Sequence, residues 1–193
     1  TGKMELLWYD IRQLDEETMA RTVSMMDEAR RRRVSDIAGE DDRKRTVAGE
    51  LLARRVLAQR LGCGEGEVPL RWDDTGKPAV DAGGVYVSVS HSGPYAVCAA
   101  ADVPVGVDVE VVRSADEKFM RRVCSEAEMA YIRVGDDGDC ARFWEIWTAK
   151  ESLFKLTGKG PLLTLSQLAL PEGVVLDHIR EKGCALTTAL RLR

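Results

Sequence analysis

Two carboxylates on one predicted strand could hold a divalent cation. Asp108 and Glu110 alternate with valines in the segment Val105-Gly106-Val107-Asp108-Val109-Glu110-Val111. Alternate residues of a strand share a face, so the carboxylates would stand beside Gly106, with about 6.5–7 Å between their Cα atoms. Adjacent anions repel, whereas a small glycine would leave open space for Mg²⁺, which carboxylates, water and substrate phosphates usually hold. The segment therefore indicates a magnesium site; the alternative is an edge strand with a polar outer face.

A carboxylate and a lysine four residues apart lie in a second chemically suggestive segment. Apolar residues recur at helical spacing from about Cys140 to Leu156, without Gly or Pro, which predicts a helix. Lys150 falls inside its apolar arc, and Glu151 and Lys155 lie together at the margin. In one interpretation the carboxylate and the two ammonium groups project into a cleft. In the other, Glu151 and Lys155 form an ordinary surface pair worth about 0.2–0.5 kcal/mol, and the Lys150 side chain snorkels to solvent.

Basic residues in the first half could bind an anion. Arg30–Arg33 form an arginine run, which by itself is typical of a solvated helix face. Arg45 stands near the start of a predicted helix, where a cation opposes the dipole unless an anion is close. Lys77 lies in the predicted turn 73–78, and Ser90-His91 ends a predicted strand. A lone histidine of this kind is usually structural.

The remaining patterns predict an α+β fold with sheets and packed helices. The strands at 85–89, 95–101 and 105–111 are close in sequence and predict a β-meander. A strand is also predicted at 5–11, and one helix is predicted to run from Asp15 into the arginine run. The other predicted elements are helices at 41–61 and 116–134, the latter with a restart at Ser125, and strands at 162–170, 174–179 and 184–192.

Composition excludes several classes of protein. The 193 residues are 45% apolar and 31% charged, as in ordinary globular proteins. Five scattered cysteines without a C-x-x-C pair indicate reduced thiols and a cytoplasmic location. Two histidines exclude a His-rich metal centre, and the net charge of −4 argues against general nucleic-acid binding. No apolar run has the length of a membrane span.

Four motifs in order resemble the 4′-phosphopantetheinyl transferase family, in its long, single-chain Sfp-like branch. They are Gly76-Lys77-Pro78, Ser90-His91-Ser92, Val105–Glu110, and Phe143-Trp144 followed by Trp147–Lys155. Asp108 and Glu151 are 43 residues apart, as the family's paired motif expects. The resemblance implies two pseudo-related α/β halves, at 4–104 and 105–193, each with a mainly antiparallel sheet. It also implies a monomer.

The resemblance further implies a reaction and its residues. A carrier-protein serine hydroxyl attacks the β-phosphate of coenzyme A, with Mg²⁺ as cofactor, and adenosine 3′,5′-bisphosphate is released. Asp108, Glu110 and Glu151 would hold the metal, with Glu151 as base and Lys155 near the reacting phosphates. Lys150 would make a second phosphate contact or orient the metal carboxylates. Further contacts to coenzyme A are implied for Arg30, Arg33, Arg45, Lys77, Ser90 and His91.

The expected partners are coenzyme A and an acyl or peptidyl carrier protein, without nucleic acid or membrane. Two other classes stay open. One is a different Mg²⁺-dependent nucleotide or phosphoryl transferase, which the absence of P-loop and kinase motifs disfavours. The other is a non-enzymatic binder of acidic partners through Arg30–Arg33, which leaves the three carboxylates unexplained.

Overall fold

The chain folds into two compact units, each with a three-stranded antiparallel sheet. The computed structural model describes residues 3–135, 140–158 and 167–193. The first unit runs to Val103 and the second begins at Pro104. Both units combine a sheet with helices, so the predicted α+β fold is confirmed.

The first unit has a three-stranded sheet in the order β1-β5-β4, and a separate β2-β3 hairpin. Its elements are β1 (Met4–Asp10), α1 (Glu16–Ser24), α2 (Glu28–Ser35), α3 (Glu40–Leu61), β2 (Leu70–Trp72), β3 (Pro78–Val80), β4 (Tyr86–Ser92) and β5 (Tyr95–Ala101). Helix α3 packs on the sheet so closely that a Cβ atom on Gly49 would lie 2.6 Å from Val89 Cγ1. It ends at Gly62, whose φ of 67° is left-handed.

The predicted single helix leading into the arginine run is wrong, because the chain forms α1 and α2 instead. Helix α1 ends at Ser24, and Asp27 then caps α2 by accepting a hydrogen bond from the Arg30 N–H. A side chain that accepts from the third helical N–H satisfies a donor that has no intrahelical partner. The separate start of α2 therefore determines the positions of Arg30 and Arg33 within this helix.

The second unit has its sheet in the order β6-β8-β7. Its elements are β6 (Val105–Val111), α4 (Glu117–Val123), α5 (Glu126–Gly135), α6 (Ala141–Thr157), β7 (Val174–Glu181) and β8 (Cys184–Arg191). Apart from the β2-β3 hairpin of the first unit, each unit thus has one strand, then helices, then two strands, and the last strand lies in the middle of the three-stranded sheet. This shared topology is the pseudo-related pair of halves that the family resemblance implied.

Several sequence predictions need correction here. The β-meander is wrong, because β6 pairs with β8 and not with β5. In the predicted strand 162–170, residues 162–166 lie outside the described residues and 167–170 form no strand. The predicted helix 116–134 is two helices, and the restart at Ser125 is confirmed. Ser125 Oγ accepts from the Glu128 N–H at 3.2 Å, and Glu128 Oε1 accepts from the Ser125 N–H at 2.8 Å.

All five cysteines are free thiols. In the described parts of the chain, no helix has both the length and the apolar character needed to cross a membrane.

Candidate functional site

Glycine at position 106 lets helix α6 approach strand β6. A Cβ atom there would lie 2.1 Å from the Ser152 carbonyl oxygen and 2.9 Å from the Leu156 nitrogen, both backbone atoms of α6. The space beside this glycine is therefore filled by the helix, and the predicted open space beside the carboxylates is wrong. Because Asp108 points to the same face of β6, the close approach brings it under α6, where it is 6% exposed.

Lys155 of α6 reaches strand β6 directly. Its ammonium donates to Asp108 Oδ1 at 3.0 Å and to the Val107 carbonyl at 2.9 Å. The surface-pair interpretation of Lys155 with Glu151 therefore does not describe its main contact. Glu110, at the end of the same strand face, accepts from Arg113 at 3.1 Å.

The carboxylates of this cluster perturb one another. The pKa of Asp108 is raised to about 6, chiefly by burial; Lys155 opposes the rise, and the charges of Glu110 and Glu151 add to it. Burial likewise raises the pKa of Glu151, with Lys155 opposing and Glu110 adding to the rise. Three acidic groups thus share one electrostatic environment that favours a cation.

The donor set suits a hard cation such as Mg²⁺, which binds oxygen ligands and keeps several waters. Over residues 3–135, 140–158 and 167–193, no three His, Cys, Asp or Glu side chains are arranged as metal ligands. The chemistry of the carboxylates fits the metal, while their side chains would have to turn together to bind it. Lys155 and Arg113 compensate part of their charge in this arrangement.

Lys150 has a role that neither sequence alternative described. Its side chain is 1% exposed, and its ammonium donates to Glu128 Oε1 at 2.8 Å and to the Val123 carbonyl at 2.6 Å. Glu128 also accepts from the Leu168 N–H at 2.9 Å through its second oxygen. Lys150 therefore joins α6 to the start of α5 and to the chain at Leu168. Sequence patterns did not reveal the pairing of Glu128 with Lys150, because the two residues are 22 positions apart.

Three of the predicted basic residues meet in the first unit. Arg30, Arg33 and His91 line one cavity of about 280 Å³, together with Trp72 and Gly76. His91 reaches this cavity because it follows Val89 on the face of β4 that packs on α3. Two arginines and a histidine around one cavity suit an anionic ligand.

Arg45 lines another cavity, of about 290 Å³, with Arg12 and Lys44. Its guanidinium donates to the Gly93 carbonyl at 2.8 Å and pairs with Asp42. Asp42 belongs to the acidic first turn of α3. The anion that Arg45 needs near the helix start is therefore supplied by the helix itself.

Lys77 and Ser90 do not line either of these cavities. Lys77 lies in the turn between β2 and β3, where its N–H and that of Thr75 donate to Asp73 Oδ1, both at 2.9 Å. This confirms the predicted turn, in which Gly76 has a φ of 83°. Ser90 is buried, and it points to the opposite face of β4 from His91.

The fold and these groups define a class of protein before any comparison. It is an α+β protein of two topologically matched halves, with a cationic cavity in the first and a carboxylate–lysine cluster in the second. These are the groups that phosphate chemistry requires.

Comparison with known families identifies the class more closely. Residues 104–176 match the 4′-phosphopantetheinyl transferase superfamily, and residues 13–103 match the N-terminal region of 4′-phosphopantetheinyl transferases. The two matches are adjacent and belong together, so the chain belongs to the 4′-phosphopantetheinyl transferase family.

Curated relatives agree with the family. The 4′-phosphopantetheinyl transferase gsp of Aneurinibacillus migulanus is 33% identical over 65% of this chain and 53% of its own length. The 4′-phosphopantetheinyl transferase Sfp of Bacillus subtilis is 27% identical over 84% of this chain and 73% of its own. The L-aminoadipate-semialdehyde dehydrogenase-phosphopantetheinyl transferase of Xenopus laevis is 36% identical over 62% of this chain and 45% of its own length. The chain thus spans about half to three quarters of the relatives it matches.

Proposed function

We propose that this protein transfers the 4′-phosphopantetheine moiety of coenzyme A to a serine hydroxyl of an acyl or peptidyl carrier protein. The released product is adenosine 3′,5′-bisphosphate. The observation that carries the proposal is the Lys155–Asp108 contact across α6 and β6, with Glu110 and Glu151 beside it, in a chain of this family.

The serine hydroxyl is a poor nucleophile at neutral pH and needs a base. Glu151 suits this task, because burial and Glu110 raise its pKa from the ordinary value and make it a stronger base. It accepts the serine proton while the hydroxyl oxygen bonds to the β-phosphorus, and the adenosine bisphosphate oxygen leaves.

Asp108, Glu110 and Glu151 would hold Mg²⁺, which when bound offsets charge on the coenzyme A pyrophosphate. Lys155 supplies a fixed cation for the reacting phosphate. Its present hydrogen bond to Asp108 keeps the ammonium at the cluster. As phosphate charge develops, the ammonium can donate to a phosphate oxygen from the same position.

Cations of the first unit bind the phosphates of coenzyme A in this proposal. Arg30, Arg33 and His91 do so from their shared cavity. Arg45, Lys77 and Ser90 lie outside that cavity, and in this proposal they contact other parts of the same substrate.

The deciding experiment mixes the protein with coenzyme A, Mg²⁺ and a panel of apo carrier proteins, which are then weighed by mass spectrometry. We expect one phosphopantetheine per carrier, no transfer with EDTA, and none to a carrier whose serine is replaced by alanine. Glu151→Gln should abolish transfer, while Glu145→Gln, a change of the same kind elsewhere on α6, should not. Unmodified carriers across the panel, with coenzyme A bound, would overturn the proposal.

We also propose a cytoplasmic monomer that binds neither nucleic acid nor membrane. The five free thiols suit a reducing compartment. Light scattering of the pure protein tests the oligomeric state, and a dimer would contradict it.

A further inference from the structure

Glu50 is a buried carboxylate in the first unit that the proposed chemistry does not use. It lies on α3 and is 1% exposed. Its Oε1 accepts from Arg54 Nε at 2.9 Å, and its Oε2 accepts from the Trp72 indole N–H. A buried carboxylate with both oxygens engaged in this way has one defined orientation.

Arg54 fixes that orientation from the other side. It is 3% exposed, and its two remaining nitrogens donate to the Glu65 carbonyl at 2.9 Å and the Met25 carbonyl at 2.8 Å. Three hydrogen bonds on one buried guanidinium leave it little freedom. Glu50 is therefore held by Arg54, and Trp72 is held by Glu50.

The indole ring of Trp72 in turn packs against the Arg30 guanidinium. The Arg30 guanidinium lies 3.8 Å from the centroid of the indole ring and is 8% exposed. Its Nε is 3.7 Å from Glu50 Oε2, an ion-pair distance too long for a hydrogen bond. Among the described residues, this buried Nε has no hydrogen-bond acceptor. A buried guanidinium nitrogen without an acceptor is costly, so the nearby charge of Glu50 and the face of the Trp72 ring are what stabilise Arg30 in this position.

The local charge supports the same conclusion. Glu50 faces two buried guanidinium groups, those of Arg54 and Arg30, and one carboxylate cannot neutralise both. Arg33 and His91 line the same cavity as Arg30. A neighbouring cavity of Arg30 and Arg33 is also lined by carboxylates, those of Asp27, Asp73 and Asp74. Among the described residues that line the cavity shared with His91 there is no carboxylate, so the positive charge is in excess on that side. Glu50 reduces the repulsion between the guanidinium groups.

We propose that Glu50 and Trp72 are positioning residues that hold Arg30 at the cavity and thereby set the affinity for the phosphates of coenzyme A. They act without touching the substrate: Glu50 by its charge and its hydrogen bond to the indole, Trp72 by the face of its ring. This rests on the proposed function, in which Arg30 binds coenzyme A.

The test is a double-mutant cycle on coenzyme A binding, measured by calorimetry and as KM in the transfer assay. Glu50→Gln should weaken coenzyme A binding about tenfold, the loss expected when a displaced Arg30 no longer makes one charged hydrogen bond to a phosphate, and leave kcat unchanged at saturation. In an Arg30→Met background the same change should have an effect below about twofold, because the group that Glu50 positions is gone. Glu5→Gln, a matched change at a partly exposed glutamate that pairs with Arg60, should have no effect in either background.

Trp72→Phe is a second variant for the case that Glu50→Gln does not fold. It keeps an aromatic face for Arg30 but removes the N–H that Glu50 accepts. Binding should weaken in the wild-type background and not in the Arg30→Met background, with melting temperatures recorded for all variants. Equal losses in both backgrounds, or no loss in the wild type, would overturn the positioning role. Wild-type protein that binds no coenzyme A would refute the proposed function, and this inference with it.

Discussion

Replacing Gly106 by alanine tests the contact that builds the carboxylate cluster. The added Cβ would lie 2.1 Å from the Ser152 carbonyl oxygen and 2.9 Å from the Leu156 nitrogen. Carbon and oxygen need more than about 3 Å, so α6 and β6 must separate by about 1 Å. Neither obstacle can turn away, because both are backbone atoms of a helix.

The cost follows from that geometry. Overpacking of a core usually destabilises a protein by about 1–3 kcal/mol, and a collision with backbone belongs at the upper end. The variant of a protein with ordinary stability stays mostly folded after such a loss. A misplacement of about 1 Å can still cost about 100-fold in rate. We therefore expect kcat/KM to fall by about that factor, because Glu151 and Lys155 move away from Asp108.

The assay combines urea unfolding with transfer kinetics on the folded protein. Gly66→Ala is the matched control, since its Cβ would meet only Met25 side-chain atoms at 3.8 Å. We expect it to change stability by less than about 0.5 kcal/mol and to leave turnover native. A Gly106→Ala protein that loses less than about 1 kcal/mol and keeps native turnover would refute the argument that this glycine sets the helix–strand distance.

Three further predictions follow from the same contacts. Asp108→Asn should raise metal-free stability at pH 8 by up to about 3 kcal/mol yet abolish transfer. The reason is that Asp108 binds its proton more tightly in the folded protein, so the stability it contributes is lost as pH rises from 3.8 through about 6. Urea unfolding across this pH range should show that loss of stability in the wild type and not in the variant. Lys150→Met should cost about 3–5 kcal/mol by stranding Glu128, and adding Glu128→Gln should recover part of it in the same assay. His91→Ala should raise KM for coenzyme A about tenfold with little change in kcat, and equal falls in both would contradict its assignment to binding.

Local sequence patterns were sufficient for the elements that carry the cluster. Helix α6 differs from its prediction by one residue at each end, because apolar spacing and the absence of Gly and Pro determine a helix locally. The alternation in 105–111 gave strand β6 and its two faces for the same reason. Lys150 was predicted inside the apolar arc and is buried there.

Pairings between distant segments could not be predicted in this way. Strand β6 follows β5 closely in sequence, which favoured a meander, but β6 pairs with β8 about 80 residues later. Hydrophobic alternation describes a strand's faces and says nothing about its neighbour. Only the packing of each unit decides that choice.

The sequence by itself indicated which residues belong to the proposed site, because Asp108, Glu110, Glu151 and Lys155 are identified by local spacing and by the family motifs. The tertiary structure alone decided what surrounds them. Gly106 serves a close helix contact and not an open site, Lys150 pairs with Glu128, and Glu50 reaches Arg30 through Trp72. The physical reason is that burial and charge pairing depend on side chains brought together from distant positions, which no local pattern records.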